Sequence, residues 1–325
     1  MTNVLVTGCT GFIGSNLAIK LVEEGYKVYG LIRHASRREL EPLRVVLDKI
    51  HLVEGDLTTF HSVASAIHVA QPQFILHIGA LTPVRLSFED PFPYISTNFD
   101  GTINIIHAML EKCPKANLIY ASTAEVYGWQ KRVKPTKETA ALNPASPYAV
   151  SKQAADQYVR MAMRIYNLKA TVLRPNNTYG RIGERGFITE YLISNMLKNQ
   201  TCYIGAPESI RDYMFLNDHV NAYLLAMKSD KAVGKVFNVS PGNPTTNREL
   251  AQILSKIIDF KGKIVYGSYP PGYPQRPAAW DPDYFVLDST RIRKILGWKP
   301  TVSLEEGLKK TVENWKALME NPSRI

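Results

Sequence analysis

The stretch Gly8-Cys9-Thr10-Gly11-Phe12-Ile13-Gly14 restricts this chain more than any other. An apolar run, NVLVT at residues 3–7, ends at its first glycine, and SNLAIKLVEE at residues 15–24 follows with helical spacing. Strand, glycine turn and helix in that order set backbone N–H groups and a helix N-terminus against a diphosphate. Glycine lets the backbone come that close. A plain strand-to-helix connection is the alternative, and it has no need of glycines at every third position.

The second apolar run, KVYGLI at residues 27–32, should end at the adenosine ribose of a bound dinucleotide. An NAD site usually places Asp or Glu there to hold the 2′-hydroxyl. Here the run leads into Arg33-His34-Ala35-Ser36-Arg37-Arg38, with no acid before Glu39. A guanidinium pairs with a 2′-phosphate, so the expected cofactor is NADP, with NAD as the alternative.

Further apolar runs at Ile50-His51-Leu52-Val53, Phe74-Ile75-Leu76-His77 and Leu118-Ile119-Tyr120 alternate with helical segments. That alternation implies an α/β fold, a doubly wound parallel (Rossmann) sheet covered on both faces. Asp56 stands after one of these strands, and its spacing fits both an adenine contact and a helix cap. After Asn177 the alternation fades and Gly, Pro and Tyr become frequent. We therefore expect a dinucleotide-binding domain over residues 1–175, with some later segments returning to it. A smaller mixed α/β substrate domain is expected over 176–325. The stretch YGSYPPGYPQRPAAWDPD, residues 266–283, reads either as a linker or as a lid over a nucleotide. Asp218 and the run Asp288-Ser289-Thr290 read as helix caps, and Ser303 as the start of a last helix with a stripe of Leu304, Leu308, Val312 and Trp315.

The chemistry is expected from NPASPYAVSKQAADQYVRMAMR, residues 143–164. Ser146-Pro147 is a helix cap and first turn, and Tyr148 precedes Lys152 by four residues, which puts phenol and ammonium on one helical face. The cation beside it is expected to pull the Tyr148 pKa down toward working pH, as a proton-transfer group needs.

Composition excludes several classes. Of 325 residues, 45% are hydrophobic and none form a run long enough to span a membrane, and no charged-then-apolar leader precedes NVLVT. Neither a membrane span nor secretion is expected. Three separated cysteines suggest neither a disulfide framework nor a metal cluster, and they fit a reducing cytoplasm. The seven histidines have no metal-ligand spacing, so no metal is expected. The formal charge of +10 is spread along the chain without interleaved stacking aromatics, which argues against nucleic acid and leaves cations for an anionic small ligand.

Together, Gly8-x-x-Gly11-x-x-Gly14, Thr123 ahead of Tyr127-Gly128, Tyr148-x-x-x-Lys152, Leu173-Arg174-Pro175-Asn176-Asn177-Thr178-Tyr179-Gly180, Ile210-Arg211-Asp212-Tyr213 and Leu296-Gly297-Trp298-Lys299-Pro300 carry a resemblance. The chain resembles the extended short-chain dehydrogenase/reductase family, the nucleotide-sugar epimerases and dehydratases, along nearly its whole length. The resemblance implies that Tyr148 takes a proton from a sugar hydroxyl, that Lys152 holds the nicotinamide ribose and that Thr123 hydrogen-bonds the same sugar oxygen. It also implies that Gly8, Gly11, Phe12, Ile13, Gly14, Arg33, Ser36, Asp56, Leu57 and Ala80 line the cofactor. Thr82, Asn177, Arg211 and Arg276 would contact a nucleotide-diphosphate sugar, and the protein would be a homodimer.

The resemblance leaves the reaction open. Related dehydratases carry Asp or Ser and then Glu after the Thr. Here Ala124 and Glu125 stand in those places, so Glu125 is available as a base but Ala124 cannot donate a proton. The expected reaction is 4-epimerisation through transient C4 oxidation. The alternatives are a GDP-mannose-dehydratase-like 4,6-dehydration, an NADPH-dependent 4-keto-6-deoxy-sugar reduction, and an NADP-sensing protein without chemistry.

Overall fold

A computed structural model describes residues 1–34, 40–128, 134–183, 186–272 and 283–320. Ser36 and Arg276, named above for the cofactor and the substrate, lie outside the described residues, as do residues 273–282 of the stretch read as linker or lid. Seven strands, β1 (Asn3–Thr7), β2 (Lys27–Ile32), β3 (His51–Glu54), β4 (Phe74–His77), β5 (Asn117–Ala121), β6 (Ala170–Pro175) and β7 (Lys235–Val239), form one sheet in the order β7-β6-β5-β4-β1-β2-β3. Every neighbouring pair is parallel. The expected doubly wound sheet is therefore present.

Period-two alternation sorts the side chains. Val4, Val6, Val28, Leu76, Ile119, Leu173 and Phe237 face one side, and pack on α1 (Phe12–Glu23) and on a later helix, residues 216–228. Leu5, Tyr29, Leu31, Ile75, Leu118, Tyr120 and Val172 face the other, against α2 (Phe60–Ala70), α3 (Gly101–Lys112) and α4 (Pro147–Ile165). Such burial of both faces is what near-continuous apolar runs require. A π-helical turn, Ile95–Asp100, feeds α3, and its Asn98 grips the backbone of Leu81 through both amide atoms (2.8 and 3.0 Å) while donating to Ser151 Oγ at 3.0 Å. That contact ties the loop after β4 to α4.

Four further helices, α5 (Ile188–Leu197), α6 (Leu216–Lys228), α7 (Asn247–Ile258) and α8 (Leu304–Glu320), divide between two bodies. Helices α5, α7 and α8 build a separate core with Leu192, Leu250, Leu308, Val312 and Trp315. Short strands surround it: 202–204 pairs with 264–266 in parallel, and 210–212 pairs with 244–246 antiparallel and with 284–285 in parallel. Helix α6 and strand β7 instead return to the large sheet.

One cap expectation changes. Asp218 lies within the first turn of α6, and its carboxylate accepts from Thr301 N (2.8 Å), Thr301 Oγ1 (2.6 Å) and Val302 N (3.3 Å). It tethers a distant loop rather than capping its own helix, and so satisfies two backbone N–H groups of that loop.

Candidate active site

The strand order reverses between β1 and β4, and ligands of doubly wound sheets bind in the crevice at such a point. Gly8 ends β1 there with φ +67°, and a Cβ on it would lie 2.7 Å from Gly79 Cα. A Cβ on Gly14 would lie 2.1 Å from the Gly8 carbonyl oxygen, so the first turn of α1 rests directly on the loop. Gly11 is the N-cap of α1 and offers no side-chain acceptor to the first-turn N–H groups. Those groups, with Phe12 and Ile13 half-buried at the helix start, fit a dinucleotide diphosphate.

The other expected cofactor residues among the described ones follow the strand ends of the large sheet. Arg33 is exposed directly beyond β2. Asp56 follows β3, and its Oδ1 accepts from Thr58 N (2.8 Å) and Thr58 Oγ1 (2.7 Å), so of the two readings the turn before α2 engages this oxygen. Leu57 is half-buried and its carbonyl accepts from Asn104 Nδ2 at 2.7 Å. Ala80 is half-buried after β4 and Thr82 is exposed.

Helix α4 begins as its sequence dictates, with Ser146 Oγ accepting from Ala149 N at 3.0 Å and Pro147 at the first position. It presents Tyr148 and Lys152 to the end of β5. The Tyr148 phenol hydrogen-bonds the Thr123 hydroxyl, and Tyr94 packs edge-on against its ring at 6.4 Å. Thr123 Oγ1 also accepts from Glu125 N at 3.2 Å, opening a short turn over Ala124–Tyr127. Within that turn Ala124 is 1% exposed, in an apolar cluster with Val126, Tyr127, Phe285 and Leu287. Glu125 is half-buried.

The electrostatics correct one expectation. Burial pushes the Tyr148 phenol well above the usual tyrosine range; the Thr123 hydrogen bond opposes this and the Glu125 charge adds to it. The reason lies in Lys152. Burial brings its pKa down to about 7, with Asp156 opposing, and its ammonium lies over the Tyr120 ring, 4.6 Å from the centroid. A desolvated lysine turned onto an aromatic face does little to outweigh the desolvation of the phenol.

On the substrate side, Asn177 is half-buried and Arg211, on the strand 210–212, is buried and donates to the Ile210 carbonyl at 2.9 Å. Sequence reasoning missed Arg181. Its guanidinium carbon sits 4.3 Å from the Phe12 ring centroid and 3.8 Å from that of Phe187, and its Nη1 donates to the Thr178 carbonyl at 2.7 Å. The cation thus bridges the start of α1 and the second core, and its charge reaches Tyr148. Its place directly after Asn177-Thr178-Tyr179-Gly180 was the available signal. Asp156 and Arg174 were also missed, although Asp156 repeats the four-residue spacing of Tyr148 and Lys152.

Comparison with known proteins agrees with this geometry. The family model described as GDP-mannose 4,6 dehydratase matches residues 5–311. A putative UDP-glucose 4-epimerase of Methanocaldococcus jannaschii is 31% identical over 99% of both chains. The crystal structure of a UDP-glucose 4-epimerase with UDP-glucose from Thermotoga maritima superposes with a TM-score of 0.87 at 31% identity, covering 98% of this chain and 100% of the other. That of a Thermus thermophilus UDP-glucose 4-epimerase with NAD gives 0.83 at 28% identity, covering 96% and 98%. A match to the family model along most of the chain, on a sheet whose reversal point carries the glycine turn and the Tyr148–Lys152 helix, places this protein in the GDP-mannose 4,6-dehydratase family, the nicotinamide-dinucleotide-dependent nucleotide-sugar epimerases and dehydratases of the extended short-chain dehydrogenase/reductase type.

Proposed function

We propose that this enzyme is a nucleotide-diphosphate-sugar 4-epimerase. The observation that carries the choice is the packing of Ala124: an apolar methyl sealed among Val126, Phe285 and Leu287 leaves no proton donor where loss of a C6 hydroxyl would need one. Inversion at C4 needs none.

The bound dinucleotide supplies a hydride acceptor and donor, which no side chain can be. Tyr148 takes the C4 hydroxyl proton and returns it, because a carbinol is too weak an acid to release it unaided. Thr123 holds the same oxygen and Lys152 the nicotinamide ribose. Gly8, Gly11, Phe12, Ile13 and Gly14 receive the cofactor diphosphate, with Leu57 and Ala80 along the dinucleotide. Arg211 and Arg276 receive the sugar-nucleotide diphosphate, and Thr82 and Asn177 contact the substrate. The test is to incubate the purified protein with UDP-, GDP-, dTDP- and CDP-hexoses, with and without added dinucleotide, and follow products by NMR. UDP-hexoses come first, since the Thermotoga maritima relative binds UDP-glucose. A C4-inverted sugar without net consumption of NADPH is expected. A stable 4-keto-6-deoxy product would replace this reading with dehydration, for which Glu125, whose charge reaches Tyr148, is the base at hand.

The proposed cofactor form is NADP. Arg33 stands exposed where β2 ends, and Glu54, at the end of β3, is 3.2 Å from His34 Nδ1. Losing one charged hydrogen bond to a 2′-phosphate costs about 1.5–3 kcal/mol. An Arg33→Ala variant should therefore bind NADP about tenfold or more weakly with NAD affinity unchanged, read by fluorescence titration. Equal loss for both, or tighter NAD binding by the parent protein, assigns NAD instead.

A homodimer is proposed as well. Phe92, 80% exposed, Val150 and Ile165 leave large apolar surface on and beside α4, and light scattering reads the mass directly.

A further inference from the structure

Helix α4 buries a third charged group one turn beyond Lys152. Asp156 follows Lys152 by four residues and Tyr148 by eight, so all three share the face turned to the sheet. Its carboxylate is 0% exposed and fully engaged. Oδ2 accepts from Arg174 Nε at 2.9 Å and from Ser122 Oγ at 2.7 Å, Oδ1 accepts from Arg174 Nη2 at 2.8 Å, and Arg160 Nη1 lies 3.8 Å from Oδ1. Arg174 is itself buried and also donates to the Tyr127 hydroxyl at 2.8 Å, which donates to Asn238 Oδ1 at 2.7 Å. The Asn238 amide in turn donates to the Thr136 carbonyl at 2.8 Å. Arg174 of β6 and Ser122 just after β5 thereby hold the carboxylate, and Tyr127 links Arg174 on to Asn238 of β7.

Stability alone is a poor reason for such a pair. Burying two charges costs several kcal/mol each, and an apolar replacement of similar volume is often neutral or better. The location suggests another use. We propose that Asp156 is a positioning residue: clamped by Arg174, it supplies the fixed negative charge that keeps Lys152 an ammonium, and through Ser122 it fixes the strand end that carries Thr123.

The surroundings of Lys152 leave that task to Asp156. Burial lowers Lys152 and Asp156 opposes it. Tyr148 on α4 and Tyr120 on β5 are pushed up by burial, and His77 on β4 is pushed down by burial and by the Lys152 charge, so all three stand neutral around it. Glu125 and Tyr94 act on Tyr148, and Arg174 and Arg160 face Asp156.

The inference rests on the reading that Lys152 serves turnover, and the test separates the two. In full-length protein carrying labelled lysine, with the Lys152 resonance identified from Lys152→Met, NMR reads the Lys152 titration without any sugar. Asp156→Asn should lower its midpoint by about one pH unit or more. Because that variant leaves Arg174 buried and unpaired, the double substitution Asp156→Asn with Arg174→Gln is measured beside it and should shift the midpoint less, since the Arg174 cation is lost with the Asp156 charge. With substrate, the alkaline limb of kcat should move down by the same amount, and Asp156→Glu should restore both. An unchanged Lys152 midpoint in folded Asp156→Asn overturns the proposal. A shifted midpoint with an unmoved alkaline limb overturns the role in turnover. If the parent protein epimerises no sugar but the midpoint shifts, the epimerase reading fails while the charge relation holds.

Discussion

A Tyr148→Phe variant is expected to turn over nucleotide sugar about 10²- to 10⁴-fold more slowly than the parent protein, the usual contribution of a positioned proton-transfer group. The substitution removes one oxygen and leaves the ring in its slot against Tyr94, where it is 8% exposed, so the fold and dinucleotide binding should persist. The loss should fall on kcat, since the phenol acts on the reacting hydroxyl and not on the nucleotide. Turnover within tenfold of the parent would remove Tyr148 from the reaction. A sensing protein without chemistry would instead keep its output, because only the proton-transfer oxygen has gone.

Acid should unfold this protein earlier than its carboxylates alone would cause. His77 and His219 are buried, and desolvation brings both down to about 3, assisted by the charge of Lys152 for His77 and of Arg181 for His219. His77 is held between Thr7 Oγ1 at 2.8 Å and Thr102 Oγ1 at 3.1 Å, and His219 Nδ1 lies 2.9 Å from Thr178 Oγ1. Both are neutral in the fold. A folded pKa below the unfolded one means that their contribution is complete above about pH 6.5 and is lost as pH falls toward 3. The other five of the seven histidines are exposed or half-buried. Between pH 6 and 5, before carboxylates titrate, two protons taken up on unfolding give a slope of about 2.5 kcal/mol per pH unit. Denaturant titrations across that interval measure it. Replacing both histidines with Asn should flatten the dependence, whereas a parent slope below about 1 kcal/mol per pH unit would mean that neither is kept neutral by the fold.

Much of the architecture was legible because it is written locally. Strands β1 to β5 are apolar runs ended by turn residues, and burial on both sides of a parallel sheet demands such runs. The glycine turn and the α4 cap are local too: each is decided by backbone geometry within a few residues. The return of β7 to the sheet was not legible at that resolution, since residues 235–239 follow a stretch without clear alternation and only pairing with β6 gives them their place. The same holds for Asp218, whose spacing suggested a cap and whose partners lie more than 80 residues away.

Within the candidate site, chain order brought Tyr148 and Lys152 to one helical face, and motif spacing brought Thr123 to them. The sign of the Tyr148 shift came out opposite to expectation, because spacing gives the distance to a cation but not the loss of water around both groups. Arg181 was invisible for a similar reason: two phenylalanines far apart in the chain, Phe12 and Phe187, make its slot.

The sequence by itself determined a dinucleotide-type sheet, its glycine turn and a helix carrying phenol and ammonium, since periodicity and backbone sterics act over neighbouring residues. Tertiary structure alone decided which groups are stripped of water and which charges meet, namely Asp156 with Arg174, Lys152 over Tyr120 and Ala124 under an apolar cluster. Desolvation and pairing depend on what distant segments bring together, and no local pattern encodes them.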